Sequence, residues 1–525
     1  SQSPEFIANT TPAIVNYQKA EISGDAAHTG SLYQYEPTPP GPIPPGPGPT
    51  PPPPPPTPEY IFTPQAGATP ATLQFNDSAV VAQTFSPITS LSPLNTGNTL
   101  NVSWVGTVDA SRSLTVGNLN LGTASTVNIN TANGVGANAA ATFNGIVDDS
   151  LDSLNLTSVN TGGLAMGDID TNGGASLNLF DARGVVGPIS AAFTANTLGA
   201  SSVIYTGQST TTYALGAHTA MTGAVHGVHD QSGAATVTLS DLQYGDQIFL
   251  ENGSTPGILN LGAPRINGVD IESGAYDSNI AIQNMNGNDI ISLSGNTNSL
   301  DLTSATNGLN YHFSVSGGTN TVTVSALTAP STIEISGGAL TLAADGLLVD
   351  PSAQTITVSG GTLTLGDYEY GLTDITVTDA STINLGLTGG STHIAPNTVT
   401  IASGGATVQL NDLDGDSVIL NNGVNPGYLA LGSHTNRTVF TNASSGAAMN
   451  ISGLISSDSF VLSDNDNHTN LLNLDDQNNE VGFSISGSDS GVANIVYING
   501  LGATGTLDAG AGNKATSILY LGSGA

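Results

Sequence analysis

Ile333-Glu334-Ile335-Ser336-Gly337-Gly338-Ala339-Leu340-Thr341-Leu342 is followed shortly by Ile356-Thr357-Val358-Ser359-Gly360-Gly361-Thr362-Leu363-Thr364-Leu365. On each side of the Gly-Gly pair apolar residues alternate with polar ones, which is the two-residue period of a half-buried strand. The glycines supply the φ > 0 that a tight corner needs. Two strands and a corner, recurring with the step from Ile333 to Ile356, match one coil of a β-solenoid. A row of β-sandwiches with about seven strands each is the rival arrangement, because strand spacing alone fits it too. The inner repeat has no natural reason in a sandwich, and it favours the solenoid.

A longer repeat encloses this one. Val237-Thr-Leu-Ser-Asp241-Leu-Gln-Tyr244-Gly245-Asp246 through Leu261-Gly262 returns as Val408-Gln-Leu-Asn-Asp412-Leu-Asp414-Gly415-Asp416 through Leu431-Gly432, with Tyr244 as the one extra residue of the first copy. The period is about 170 residues, so a duplicated unit holds several irregular coils. No window shows a capped, 3.6-residue apolar period, and the fold class expected is all-β. The chain divides into an extended leader (1–36), a proline-rich linker (37–58), a β-rich domain (59–170) and two β repeat units (171–345 and 346–525). From Pro37 to Pro58, fifteen of twenty-two residues are proline. Such a tract favours polyproline II and at about 3.1 Å per residue would span roughly 70 Å. A spacer of that length is poorly placed to let the leader join its own core. Phe6, Ile7, Ile14, Val15 and Tyr17 are therefore expected to contact another copy of the chain, by adding a strand to an exposed sheet edge.

Among 525 residues there are six Lys or Arg and forty Asp or Glu, for a formal charge of -34. Phosphate binding needs clustered cations, and Lys19, Arg112, Arg183, Arg265, Arg437 and Lys514 stand singly, so nucleic acid is not expected as a partner. No apolar run of about 18 residues marks a spanning helix. A first residue of Ser suggests a processed chain. The absence of cysteine excludes disulfides, thiolate metal sites and a Cys nucleophile.

Carboxylates gather in turns beside Gly and Asn, where hard oxygen ligands for calcium are presented. Asp168-Ile-Asp170-Thr-Asn172-Gly173 has the opening of an EF-hand calcium loop but carries Leu179 where that loop has its Glu. Asn286-Gly287-Asn288-Asp289-Ile290 resembles the calcium-binding RTX nonapeptide, in a single copy, and the resemblance points to Asn288 and Asp289. Asp412, Asp414 and Asp416, then Asp464 and Asp466, form further acidic turns. Calcium is the cofactor these residues suggest. His226-Gly-Val-His229-Asp230 reads as an exposed loop, because histidines three apart do not converge in a β setting. No G-x-S-x-G, H-E-x-x-H or phosphate-binding loop is present, and the chain reads as a non-enzyme.

The cysteine-free, lysine-poor, Gly/Thr/Asn/Ser-rich region from about residue 60, with its Gly245-Asp246 and Gly415-Asp416 turns and coil-length repeats, resembles the β-strand repeat proteins of prokaryotic cell surfaces: surface-layer proteins, autotransporter-like passengers and large adhesins. That resemblance implies an extracellular or cell-surface structural role, with other copies of the chain as partners and calcium assisting assembly. An adhesin binding a cell-surface glycan or matrix is the second expectation. A β-helix carbohydrate-active enzyme or a viral fibre is the third.

Overall fold

A computed structural model describes residues 138–262 (175 and 224 apart) and, before and after that stretch, the strands with some of the turns that join them. All of the regular structure described is β, and no helix occurs among the described residues. From Asn98 onward strands alternate along the chain between two sheets, and each strand pairs with the strand of the same sheet one coil away. The inner repeat shows how this arises. Ile333 lies beside Ile356 and Ile335 beside Val358 in one sheet; Leu340 lies beside Leu363 and Leu342 beside Leu365 in the other. All eight are buried. Residues one repeat apart in sequence thus become lateral neighbours, and the chain is a parallel β-solenoid. The sandwich alternative is set aside, since sandwiches pair their strands antiparallel and all but two of the described pairings are parallel.

The chain forms two compact units, residues 1–269 and 270–525. In the first, the inward positions of Ala140–Asp148, Leu164–Asp170 and Ile189–Phe193 alternate with outward ones. Phe180, Phe193 and Tyr213 meet edge to face, with ring centres 5.2 to 6.4 Å apart. The fully buried Tyr213 hydroxyl donates to the Tyr205 carbonyl at 3.2 Å, so the largest ring in this cluster leaves no polar group without a partner. The side-chain ladders that parallel, in-register strands allow are present. Asn155 donates to Asn128 and Asn128 to Asn101, each at 2.9 Å.

In the second unit the ladder is internal at one place: Asn298 donates to Asn320 at 2.7 Å, and Asn320 donates in turn to the Ala339 carbonyl at 3.0 Å. On its outer face Asn411 donates to Asn384, and Asn384 to the Thr364 hydroxyl. At one corner Gly338 (φ 71°) and Gly361 (φ 89°) stack so closely that a Cβ on Gly361 would stand 2.3 Å from the Gly338 carbonyl oxygen. The Gly-Gly pairs of the repeat are therefore demanded by both backbone conformation and coil-to-coil approach.

At the N-terminal end the strands are β1 (Ala20–Glu21), β2 (Ser31–Tyr35), β3 (Glu59–Thr63) and β4 (Ala71–Asn76). β1 lies antiparallel on β4, and β2 antiparallel on β3 with Ser31 opposite Thr63 and Tyr35 opposite Glu59. On their other edges β4 and β3 continue into the parallel sheets. Part of the leader thus covers the first edge of both sheets. The proline tract is expected to hold the leader away from its own core, and the strand pairing places Ser31–Tyr35 of that leader against β3. Strand pairing sets Tyr35 and Glu59, which flank the tract, side by side, because β2 and β3 satisfy each other's backbone groups.

Candidate functional site

One outward column runs through the first unit. The register aligns Asn101, Asn128, Asn155, Asp181, Tyr205, His229 and Phe249, one per coil. Its first half is the amide ladder. At Asp181 the chemistry changes: the Arg183 guanidinium reaches both oxygens of that carboxylate, at 2.6 and 3.0 Å, and lies 4.0 Å over the Tyr205 ring. Tyr205, His229 and Phe249 then follow with ring centres 4.7 and 4.6 Å apart. His229 directs Nδ1 to Glu251 at 3.0 Å and Nε2 to the Val225 carbonyl at 3.2 Å, while Gln231 donates to the other Glu251 oxygen. Burial pushes the Asp181 and Glu251 carboxyls up, but Arg183 in the first case, and His229 with Gln231 in the second, outweigh it and hold both below the usual range. Tyr205 lies between Arg183 and His229, and His229 between Tyr205 and Phe249, so the column ties coil to coil.

A second set of groups lies inside. His218 Nε2 stands 3.0 Å from Asp246 Oδ2, and both side chains are shut off from solvent. Nδ1 of the same ring meets the Gly216 carbonyl at 2.7 Å. With an acceptor against each nitrogen, the ring fits as an imidazolium. Burial pushes its pKa down, but Asp246 and the Gly216 carbonyl prevail and raise it. Asp246 also accepts the Met221 and Gln243 amides, so one carboxylate pins the 218–222 loop to the next coil. Asp148, wholly buried, accepts from the Ala124 amide one coil back and from Ser150. Burial pushes its carboxyl up to about 6. Asp230, also wholly buried, accepts from Ser232 through Oδ1, while Oδ2 has no hydrogen-bond partner; burial pushes it up to about 6 as well.

The predicted calcium ligands are distributed unevenly. Asp168 and Asp170 lie on the outward side of strand Leu164–Asp170, and Asn172 (φ 49°) opens the turn after it. Asp170 accepts the Asn172 amide at 2.7 Å, and the Asn172 side chain donates to Asp149 one coil back at 2.9 Å. Asp289 is buried, and its charge adds to burial in raising the carboxyl of Asp270, whose register partner is the adjacent Ile290. Asn288, Asp412, Asp414, Asp416, Asp464 and Asp466 lie outside the described residues, as do Phe6, Ile7, Ile14, Val15 and Tyr17. Among the described residues no three His, Asp or Glu side chains gather around one point. No helix among the described residues is long and apolar enough to cross a membrane.

The exposed loop expected around His226 and His229 is in large part a buried strand, Gly227–Asp230, because these residues fill the next position in the stack of coils. The two histidines do not form a pair: His229 belongs to the outward column, and His226 Nδ1 is buried without a partner. No motif singles out His218, Asp148 or the column as a whole; Asp246 stands out in the sequence only as part of its Gly245-Asp246 turn, and His229 only as part of the expected exposed loop. Asn101, Asn128 and Asn155 did carry a signal, the equal steps that separate them. No protein-family model, no curated protein and no solved structure matches the chain.

Proposed function

We propose that the chain is a secreted structural protein that assembles with copies of itself into a surface layer or an extracellular filament, with calcium assisting. The observation that carries this reading is the investment of outward side chains in regular rows. On the second unit Thr321, Thr341 and Thr364 stand in one row, and Thr319, Ala339, Thr362 and Thr382 in another, repeated at coil spacing. Flat rows of short side chains suit lateral contact with another copy, and the ties within each unit suit a durable building block. The net charge of -34 opposes close approach of copies, which divalent cations relieve. Acidic turns such as Asp149–Asn172, and the neighbouring Asp270 and Asp289, offer oxygen ligands for them.

Electron microscopy of the purified chain tests this, first with millimolar calcium and then with chelator. Ordered sheets or fibres in calcium support it. Dispersed monomers under both conditions overturn it, and glycan affinity of those monomers would favour the adhesin.

A further inference from the structure

β2 and β3 pair antiparallel through five consecutive positions: Ser31 with Thr63, Leu32 with Phe62, Tyr33 with Ile61, Gln34 with Tyr60 and Tyr35 with Glu59. Between them lie residues 36–58, a stretch with fifteen prolines that includes the unbroken run Pro51–Pro56. These two facts pull against each other. Antiparallel neighbours stand about 5 Å apart, so a chain that pairs β2 with its own β3 must bring both ends of the tract together. Proline locks φ and favours an extended rod of about 3.1 Å per residue, stiff over several residues. A flexible loop of this length would close at small entropic cost. A proline-rich one must reverse direction around Gly41, Gly46 and Gly48, the freest sites in its middle, and give up its extended form. The register itself is indifferent to which copy supplies β2. When β2 comes from a second copy, every backbone hydrogen bond of the pair is kept and the tract stays extended. Exchange of an identical element is the low-cost route to association that such a linker favours.

We infer that β2 is an exchanged strand: the Ser31–Tyr35 segment of one copy caps β3 of another, and the proline tract spans between them. Every copy gives one β2 and receives one; when the two neighbours concerned are different copies, as the filament or layer proposed above requires, the exchange is head to tail and extends into chains of copies. The inference rests on the self-assembly reading and names its contact.

The absence of cysteine makes the test direct. Tyr33→Cys with Ile61→Cys, and separately Gln34→Cys with Tyr60→Cys, place thiols opposite each other in the full chain, one pair at each type of antiparallel position. After oxidation, a denaturing, non-reducing gel should show a ladder of dimers, trimers and higher species that collapses to monomer on reduction, with each single-cysteine variant stopping at dimer. Monomers carrying an internal disulfide overturn the inference, and so does failure of both pairs to crosslink. A second variant, with Pro51–Pro56 replaced by Gly and Ser, should move most of the crosslinked product from ladder to monomer; an unchanged ladder also counts against it. Microscopy of the unsubstituted chain separates the two claims. Polymers together with internally crosslinked monomers leave assembly standing and remove the strand exchange, whereas no polymers and only internal crosslinks remove both.

Discussion

A Cβ at Gly361 would have to sit 2.3 Å from the Gly338 carbonyl oxygen while its own φ stays at 89°, a conformation that L side chains adopt at a cost. Gly361→Ala should therefore lose about 3 kcal/mol or more of stability, read as a lower denaturant midpoint. That corner was legible beforehand, since the Gly-Gly pairs recur with the strands they separate. The buried acids were not, because nothing in Ile146-Val-Asp148-Asp says that the first aspartate turns inward to the Ala124 amide one coil back. Their pH consequence follows from sign. Asp148 and Asp230 hold their protons up to about 6 when folded and to 3.8 when unfolded. The stability this gives is full below 3.8 and fades as pH rises through 6, on the order of 3 kcal/mol for each. His218, raised above 6.5, acts in the same direction, its contribution fading as pH climbs past its folded value. Asp181 and Glu251, both lowered, act oppositely, and their contribution disappears in acid. Calorimetry should accordingly find the highest melting temperature at about pH 4 to 5 and a decline towards pH 8. A flat or rising profile over that interval would show that these groups do not govern stability. Asp148→Asn keeps an acceptor for the Ala124 amide and should flatten the decline between pH 4 and 6.

Between neighbouring strands the side-chain ladders set the energies. Asn128 both donates to Asn101 and accepts from Asn155, so Asn128→Ala removes two half-buried hydrogen bonds and should cost about 2 kcal/mol in thermal or denaturant unfolding. Asn128→Asp should cost more, because a carboxylate would then face the Asn101 oxygen with nothing to donate. The alternation of apolar residues announced the strands and their inward faces. Which outward residues would meet was hidden, because the coil step varies: it shortens slightly between Asn128–Asn155 and Asn155–Asp181, and again at Asp181–Tyr205. Once register is known, the same residues read as one column, and the pairing of His229 with Glu251 on the next coil falls out of it. The acidic turns make a separate prediction. If calcium occupies them, the melting temperature rises with millimolar calcium and the rise is lost in Asp270→Asn or Asp170→Asn. Identical melting curves in calcium and chelator would count against the metal.

At the level of the whole molecule, the parallel register means that each coil's partners in the chain are always the coil before and the coil after. Gln354 finds its neighbour in Thr373, and Asn128 in Asn155, steps that are short against a chain of 525. Most β architectures fold slowly because distant segments must find each other before any contact rewards the search. Here the loop to be closed is always short, so ordering can begin at one place and advance by single coils. β1 offers such a place, since it gives β4 a partner before any later coil has been laid down. Refolding after dilution from denaturant should slow markedly when residues 20–35 are removed, while the unfolding rate changes little, the signature of a segment whose contacts are already made in the transition state. A chain with that property acquires its order in the direction in which it emerges, and the covering of its first edge doubles as the template on which growth starts.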